Sequence, residues 1–358
     1  MPGAVSVSPR RAAGPIIEPR WRTETGEAAL AIAPSPRGDL LAAASGDGMV
    51  LLLDGSDGRV VQSWAAHAFG TLALGWSRVE PVLASGGQDG RLCFWRADAH
   101  TPVASVKASP DAASAVAAPW VEHVVWSPDG ALCATAAGSH VALWHPDGTL
   151  HRRFAPFRST VADLRWLPDG ERLSAVGYGG TVVWHRDMDD PVERYAWKGS
   201  FLCHAWAPTG RWLAAGMQES AVHIFEVATK GDLEMSGYSQ KVRKISWSSD
   251  GKKLVTTGGG YGTVWNFAGK GPAGTHPVSL AGHVLPLTDV AFFHQGLWVA
   301  TGGEDGQLLV WDLVSSSKQA MAAGFIPAPL LCLAWHPSER RVFSSHQSGW
   351  VVGWPAVR

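Results

Sequence analysis

Fourteen histidines are the residues of this chain best suited to holding a metal or passing a proton, and they are scattered. No two have the close spacing of a local zinc motif. His145 and His185 stand in equivalent places, each directly after a tryptophan, and are expected to satisfy hydrogen bonds at strand ends. The acidic run Asp187-Met188-Asp189-Asp190 reads as a solvated loop rather than a catalytic pair. Cys93, Cys133, Cys203 and Cys332 are far apart and form no CxxC pair, so they read as free, buried thiols of a reducing cytoplasm. There is no HExxH, no Gly-x-Ser-x-Gly elbow, no GxxxxGK[ST] loop and no EF-hand loop. The run Gly258-Gly259-Gly260 falls at a turn between strands, whereas a phosphate loop feeds a helix N-terminus. No catalytic residue, metal ligand or cofactor is therefore predicted.

The elements that would position any site come from one short frame, present eight times. Trp126-Ser127-Pro128-Asp129-Gly130 is followed by Trp144, and Trp76 pairs likewise with Trp95, Trp166 with Trp184, Trp206 with Phe225, Trp247 with Trp265, Phe292 with Trp311 and Trp335 with Trp354. The first copy is degenerate, Pro34 to Gly38 and then Leu53. The separation within a pair is always 18 or 19 residues, while the gaps between copies run from 40 to 50. A fixed core with elastic joints marks a repeat architecture. Within one copy, short runs rich in β-branched and aromatic residues alternate with turns such as Gly302-Gly303-Glu304-Asp305-Gly306. A fourth strand in the joint, as in residues 59–64 and 101–106, completes a four-stranded antiparallel meander. Twelve of the 19 tryptophans occupy the two phased positions, which assigns them to the core and leaves seven for other roles.

These residues resemble the WD40 family over nearly the whole chain: Trp311-Asp312 and Gly282-His283 stand where that family's signature dipeptides stand. The resemblance implies a hydrogen-bonded set in each complete repeat, here His67, Ser85, Asp89 and Trp95 in copy two and His283, Thr301, Asp305 and Trp311 in copy seven. The turn Asp is missing from copies three, four, six and eight, and copy five has Glu219 in its place. The implied fold is all-β, a single β-propeller over residues 15–358 after a flexible tail at 1–14. Eight four-stranded blades are expected, with residues 16–21 completing the last; seven is the alternative, should the degenerate first copy pack irregularly. The long joint from Ala97 to Pro119 is expected to hold a mobile loop.

In this arrangement the joints before the first strands and the turns between second and third strands share one face, which is expected to be the working surface. The joints carry Phe69, Trp120, Phe157, Trp197, Phe201, Tyr238 and Phe325, the turns Tyr178 and Tyr261, and Arg158, Lys198, Lys241 and Arg243 lie among them. Large aromatics serve as interface anchors, so an interaction scaffold for one or more proteins of some acidic character, acting alone or as a subunit of a larger complex, is the expected function. Trp120 and Phe201 are expected to be removable without loss of stability. The alternative is an enzyme or small-molecule binder with its site at the mouth of the central channel. A net charge of −1 predicts no attraction to nucleic acid or anionic membrane, and no apolar run is long enough to span a bilayer.

Overall fold

The computed structural model describes residues 14–109, 118–315 and 319–357. The tail expected at 1–14 lies outside the described residues except for Gly14, as do residues 110–117 of the loop expected before Pro119. Every copy of the frame becomes a meander because its turns carry the residues that turns need. Gly90, Gly130, Gly170 and Gly306, for example, have φ between 69° and 75°, which only glycine adopts without strain. The phased side chains then point into the space between neighbouring sheets. Trp76, Leu83, Cys93 and Trp95 of copy two meet Ala42, Val50, Leu52 and Trp64 of copy one in a single buried cluster. The core is thus a series of such clusters, each shared by two adjacent copies.

The inner strands pack in order around a closed ring: Ala29–Pro34, Thr71–Trp76, Val121–Trp126, Asp163–Trp166, the C-terminal half of Pro191–Trp206, Ile245–Trp247, Leu287–Phe292 and Leu330–Trp335, the last returning to the first. The molecule is a single all-β propeller. Hydrogen bonding among the described residues joins its strands into seven continuous sheets, six of four strands and one of six. Seven was the alternative count, but its origin differs from the one expected. The degenerate first copy forms a regular sheet of Ala29–Pro34, Leu40–Ser45, Met49–Asp54 and Val60–Ala65. Copies four and five instead share a sheet, because Pro191–Trp206 runs unbroken as the outer strand of one and the inner strand of the other.

An N-terminal strand closes the ring, but a few residues later than expected. Trp21–Glu24 pairs antiparallel with Trp350–Gly353, completing the sheet of copy eight. The expected strand at 16–21 is corrected: Ile16 bridges Ala323 of the preceding sheet, Ile17 donates its N–H to Ala323 at 2.9 Å, and only Trp21 enters the closing strand. The reason lies in Pro19, which has no N–H to give to a ladder, so pairing starts beyond it. Trp21 is buried against Phe343, with ring centroids 5.9 Å apart.

Neighbouring copies are also stapled by the first-strand tryptophans. Trp76, Trp126, Trp166, Trp247 and Trp335 donate their indole N–H to the carbonyls of Ala33, Gly75, Val125, Ala205 and Ala291 at 2.9–3.1 Å. Each acceptor stands one residue before the phased position of the preceding copy.

Candidate partner-binding face

Backbone bonds sew the two loop sets together. The turn between second and third strands donates to the joint before the first strand of its own copy: Gly46 to Ala28, Gln88 to Gly70, Gln218 to Ser200, Glu304 to Pro286 and Gln347 to Pro329, all at 2.9–3.0 Å. In these five copies joint and turn are therefore held together at one end of the ring by backbone bonds.

Among the aromatics assigned to this face, Phe69, Trp120, Tyr178, Tyr261 and Phe325 are exposed, from 36% to 63%. Arg158, Lys198, Lys241 and Arg243 are exposed beside them and enter no ion pair among the described residues. Phe157 and Phe201 are corrections. Phe157 lies in the core with Phe154, Leu164 and Trp184, and Phe201 is fully buried between Trp206, Phe225 and Met217. Phe157 lies just past the outer strand of copy three, where its N–H donates to the Ser139 carbonyl at 2.8 Å, and Phe201 falls on the packed side of the pleat of Pro191–Trp206. Trp197 is half-buried, its ring tilted by 39° against His223 with centroids 4.0 Å apart. Tyr238 is half-buried and committed to a hydrogen bond described below. Beside Lys241 and Arg243 a groove of about 750 Å³ runs past Gln240, Pro286 and Glu304 along copies five to seven.

Beneath the face lie the polar sets. In copy two the Trp95 indole N–H donates to Ser85 Oγ at 2.9 Å, Ser85 lies 2.9 Å from His67 Nε2, and His67 Nδ1 lies 2.9 Å from Asp89. Copy seven repeats this with Trp311, Thr301, His283 and Asp305 at 2.9–3.0 Å. Burial works against ionisation of both carboxyls, but hydrogen bonds and charge from the histidines outweigh it and hold them below the usual carboxylate range. The Asp89 and Asp305 carboxylates also accept the N–H of Ala68 and Val284, tying the turn to the joint.

Three further sets were not anticipated. In copy six Tyr238 replaces the histidine: its hydroxyl accepts from Trp265 at 2.7 Å and lies 2.8 Å from Thr256. Its spacing of 18 residues to Thr256 equals that from His67 to Ser85, the signal that would have found it. In copy eight Trp354 donates to Ser344 at 2.8 Å, and Ser344 bonds His346, two residues on in the same strand. The third set crosses copies. Trp206 donates to Ser174, which lies 2.7 Å from His204 Nε2, and His204 Nδ1 lies 3.1 Å from Asp163. Register explains it. Leu173 pairs with Trp166 as Leu83 pairs with Trp76, so Ala175 stands where copy two has Ser85. Ser174, one residue earlier, points to the opposite face of the strand and serves the next copy, leaving Trp184 Nε1 without a partner.

The central channel has a volume of about 650 Å³ and is lined by seven of the inner strands and by Arg243 and Lys244, just before the strand Ile245–Trp247. Arg165 and Lys244 extend into it, together with Glu122 and His123. Its two aspartates are engaged with neighbouring backbone: Asp163 accepts the N–H of His204, and Asp289 those of Val290 and Leu333, at 2.8–3.0 Å. Burial opposes ionisation of Asp163, but Arg165 and His204 overcome it, so the carboxyl stays far below its usual range. Cys203 and Cys332 face the channel, and burial pushes their thiols up to about 12 and about 11. All four cysteines are free, with Cys332 only partly buried.

His145 and His185 do not meet. His145 lies 3.3 Å from His151, which approaches Asp187 at 3.7 Å, and Asp187 in turn approaches His185 at 3.9 Å. Asp189 of the acidic run pairs with Arg152. Glu171, His185 and Asp187 cluster closely enough to suggest a cation, but they fit one poorly. His185 Nδ1 accepts the Asp187 N–H at 3.2 Å, so Nε2 carries the proton towards Glu171, and Glu171 is already paired with Arg186 at 3.0 Å.

No helix among the described residues is long and apolar enough to cross a membrane. The WD domain, G-beta repeat family matches residues 58–96 and 274–312, the two copies that hold complete polar sets. Two solved structures share the fold: a computationally designed protein, Ika8, with a TM-score of 0.78 at 18% identity over 95% of this chain and 99% of that one, and the C-terminal WD40 domain of Sif2, with a TM-score of 0.77 at 16% identity over 96% and 99%. Among curated proteins, Protein HIR1 of Candida albicans is 23% identical over 57% of this chain, and the anaphase-promoting complex subunit cdh1 of Dictyostelium discoideum is 22% identical over 69%. The matches span only 26% and 37% of those relatives' own lengths.

Proposed function

We propose that this chain, which is a WD40-repeat β-propeller, is a non-enzymatic scaffold that holds a partner protein on the rim of joints and turns. The observation that carries the reading is the rim itself: five exposed aromatic residues, and four cations that enter no ion pair among the described residues, on joints, turns and the strand ends beside them. Loops ordered before binding lose little entropy on binding, and exposed aromatics supply anchors. The similarity to a subunit of the anaphase-promoting complex supports action within a larger assembly. The buried thiols suit a reducing compartment such as the cytoplasm.

The test is recovery of partners by the tagged chain from its native host. Replacing Trp120 and Tyr261 together by Ala is expected to remove the bound partner while leaving the thermal midpoint within the small range typical of surface changes. Unchanged recovery would defeat the reading. A partner lost instead on replacing Arg165 or Lys244 would move the site to the channel.

A further inference from the structure

We propose that the joint between copies four and five is a pocket for the carboxylate side chains of an extended acidic peptide, a proposal that rests on the face reading and specifies its partner. The joint is unlike the others, because Pro191–Trp206 runs through it as one strand and the facing hairpin extends with it, so that Tyr178 pairs with Ser200 beyond a shift in register at Gly179. Beside this paired stretch lies a cavity of about 930 Å³ lined by Arg158, Tyr178, Trp197 and Lys198 with Gly179 and Ala196.

The lining brings two cations and two aromatic rings together and contributes no carboxylate; Glu219 approaches Gly199 nearby. The donors are in place and uncommitted. The Arg158 guanidinium lies over the Tyr178 ring, 5.4 Å from its centroid. Among the described residues no hydrogen bond or ion pair engages the Lys198 ammonium, the Tyr178 hydroxyl or the Trp197 indole N–H. Buried neighbours fix their positions. Phe157, one residue before Arg158, is anchored in the core, and the Tyr178 N–H donates to Ser159 Oγ at 3.1 Å. On the other wall the buried Phe201 stacks parallel to Trp197, with centroids 6.4 Å apart. Gly179 and Gly180, with φ of 97° and 114°, let the hairpin bend over the cavity.

Two cations and two aromatic rings in one pocket fit carboxylates alternating with apolar side chains, the pattern of an extended acidic segment. Aromatic rings with cations also read single-stranded nucleic acid, but the chain's net charge of −1 gives no supporting field for a polyanion.

The test measures fluorescence anisotropy of a labelled nine-residue peptide of alternating glutamate and leucine, against the same peptide with glutamine for glutamate. The glutamate peptide is expected to bind about tenfold more tightly, with the difference shrinking as salt is raised. The double variant Arg158→Ala, Lys198→Ala is expected to lose that difference, and Tyr178→Ala to weaken binding severalfold, with thermal midpoints unchanged because all three side chains are exposed. Equal binding of the two peptides, full binding by the double variant, or tighter binding of an oligothymidylate than of the glutamate peptide would overturn the proposal. The two readings fail separately. If the Trp120, Tyr261 variant loses the partner while Arg158 and Lys198 prove dispensable for the peptide, the pocket falls and the face stands. If the peptide result holds while the face variant keeps its partner, the pocket stands and the face reading falls.

Discussion

Phe201 shows how a residue whose sequence context reads as loop can be core. It stands in a joint, among residues that read as loop, yet it pairs with Met217 and its ring is fully enclosed by Trp206, Phe225 and Met217. Its replacement by Ala is expected to cost roughly 3–5 kcal/mol, the range for removing a buried aromatic ring, and to lower the urea midpoint accordingly. Trp120→Ala, half exposed, should leave that midpoint in place; equal midpoints for the two variants would return Phe201 to the surface. The distinction was not legible from residue type, since both are aromatic residues at the same kind of boundary. It depends on which side of the pleat the residue falls, and one step along a strand reverses that. Ser174 makes the same point, since its displacement by one residue hands its hydroxyl to Trp206 and orphans Trp184.

At the scale of the element, the repeat frame fixed strand existence, turn positions and the core tryptophans, because all three follow from a period that eight copies repeat. The stapling of one copy to the next was not legible, since it joins residues more than 40 positions apart. The Trp126 indole donates to Gly75, and a Cβ on Gly75 would approach Trp126 at 3.2 Å. The first-strand tryptophan and the small residue facing it are thus a matched pair. Trp126→Phe keeps most of the ring but removes the donor, leaving the Gly75 carbonyl without its partner. A loss of about 1–3 kcal/mol is expected, read from chemical denaturation. A loss near zero would mean that water replaces the indole and that shape alone holds neighbouring copies together.

For the whole molecule, Trp21–Glu24 pairs with Trp350–Gly353 to close the ring, and its buried histidines set how that ring responds to acid. Burial lowers the pKa of His123, His223, His336 and His346, the last to about 4. His346 is fully buried and wired as a neutral ring, with Nδ1 donating to the Ala328 carbonyl and Nε2 facing Ser344. An unfolded chain takes up these protons as pH falls through about 6.5, while the folded chain does not. Stability is therefore complete above that point and declines as pH drops towards the folded values. His346 alone should account for about 2 kcal/mol between pH 7.5 and pH 5. Below about 4 the unfolded chain protonates Asp89, Asp163 and Asp305 while the folded chain, whose partners hold these carboxyls low, does not, and stability falls further. Denaturation at pH 7.5 and pH 5 should show the first of these losses, and His346→Gln, which cannot ionise, should reduce it. An identical pH dependence in that variant would mean that the His346 ring is hydrated in the folded protein, and that copy eight is packed more loosely than its Trp354, Ser344 and His346 set implies.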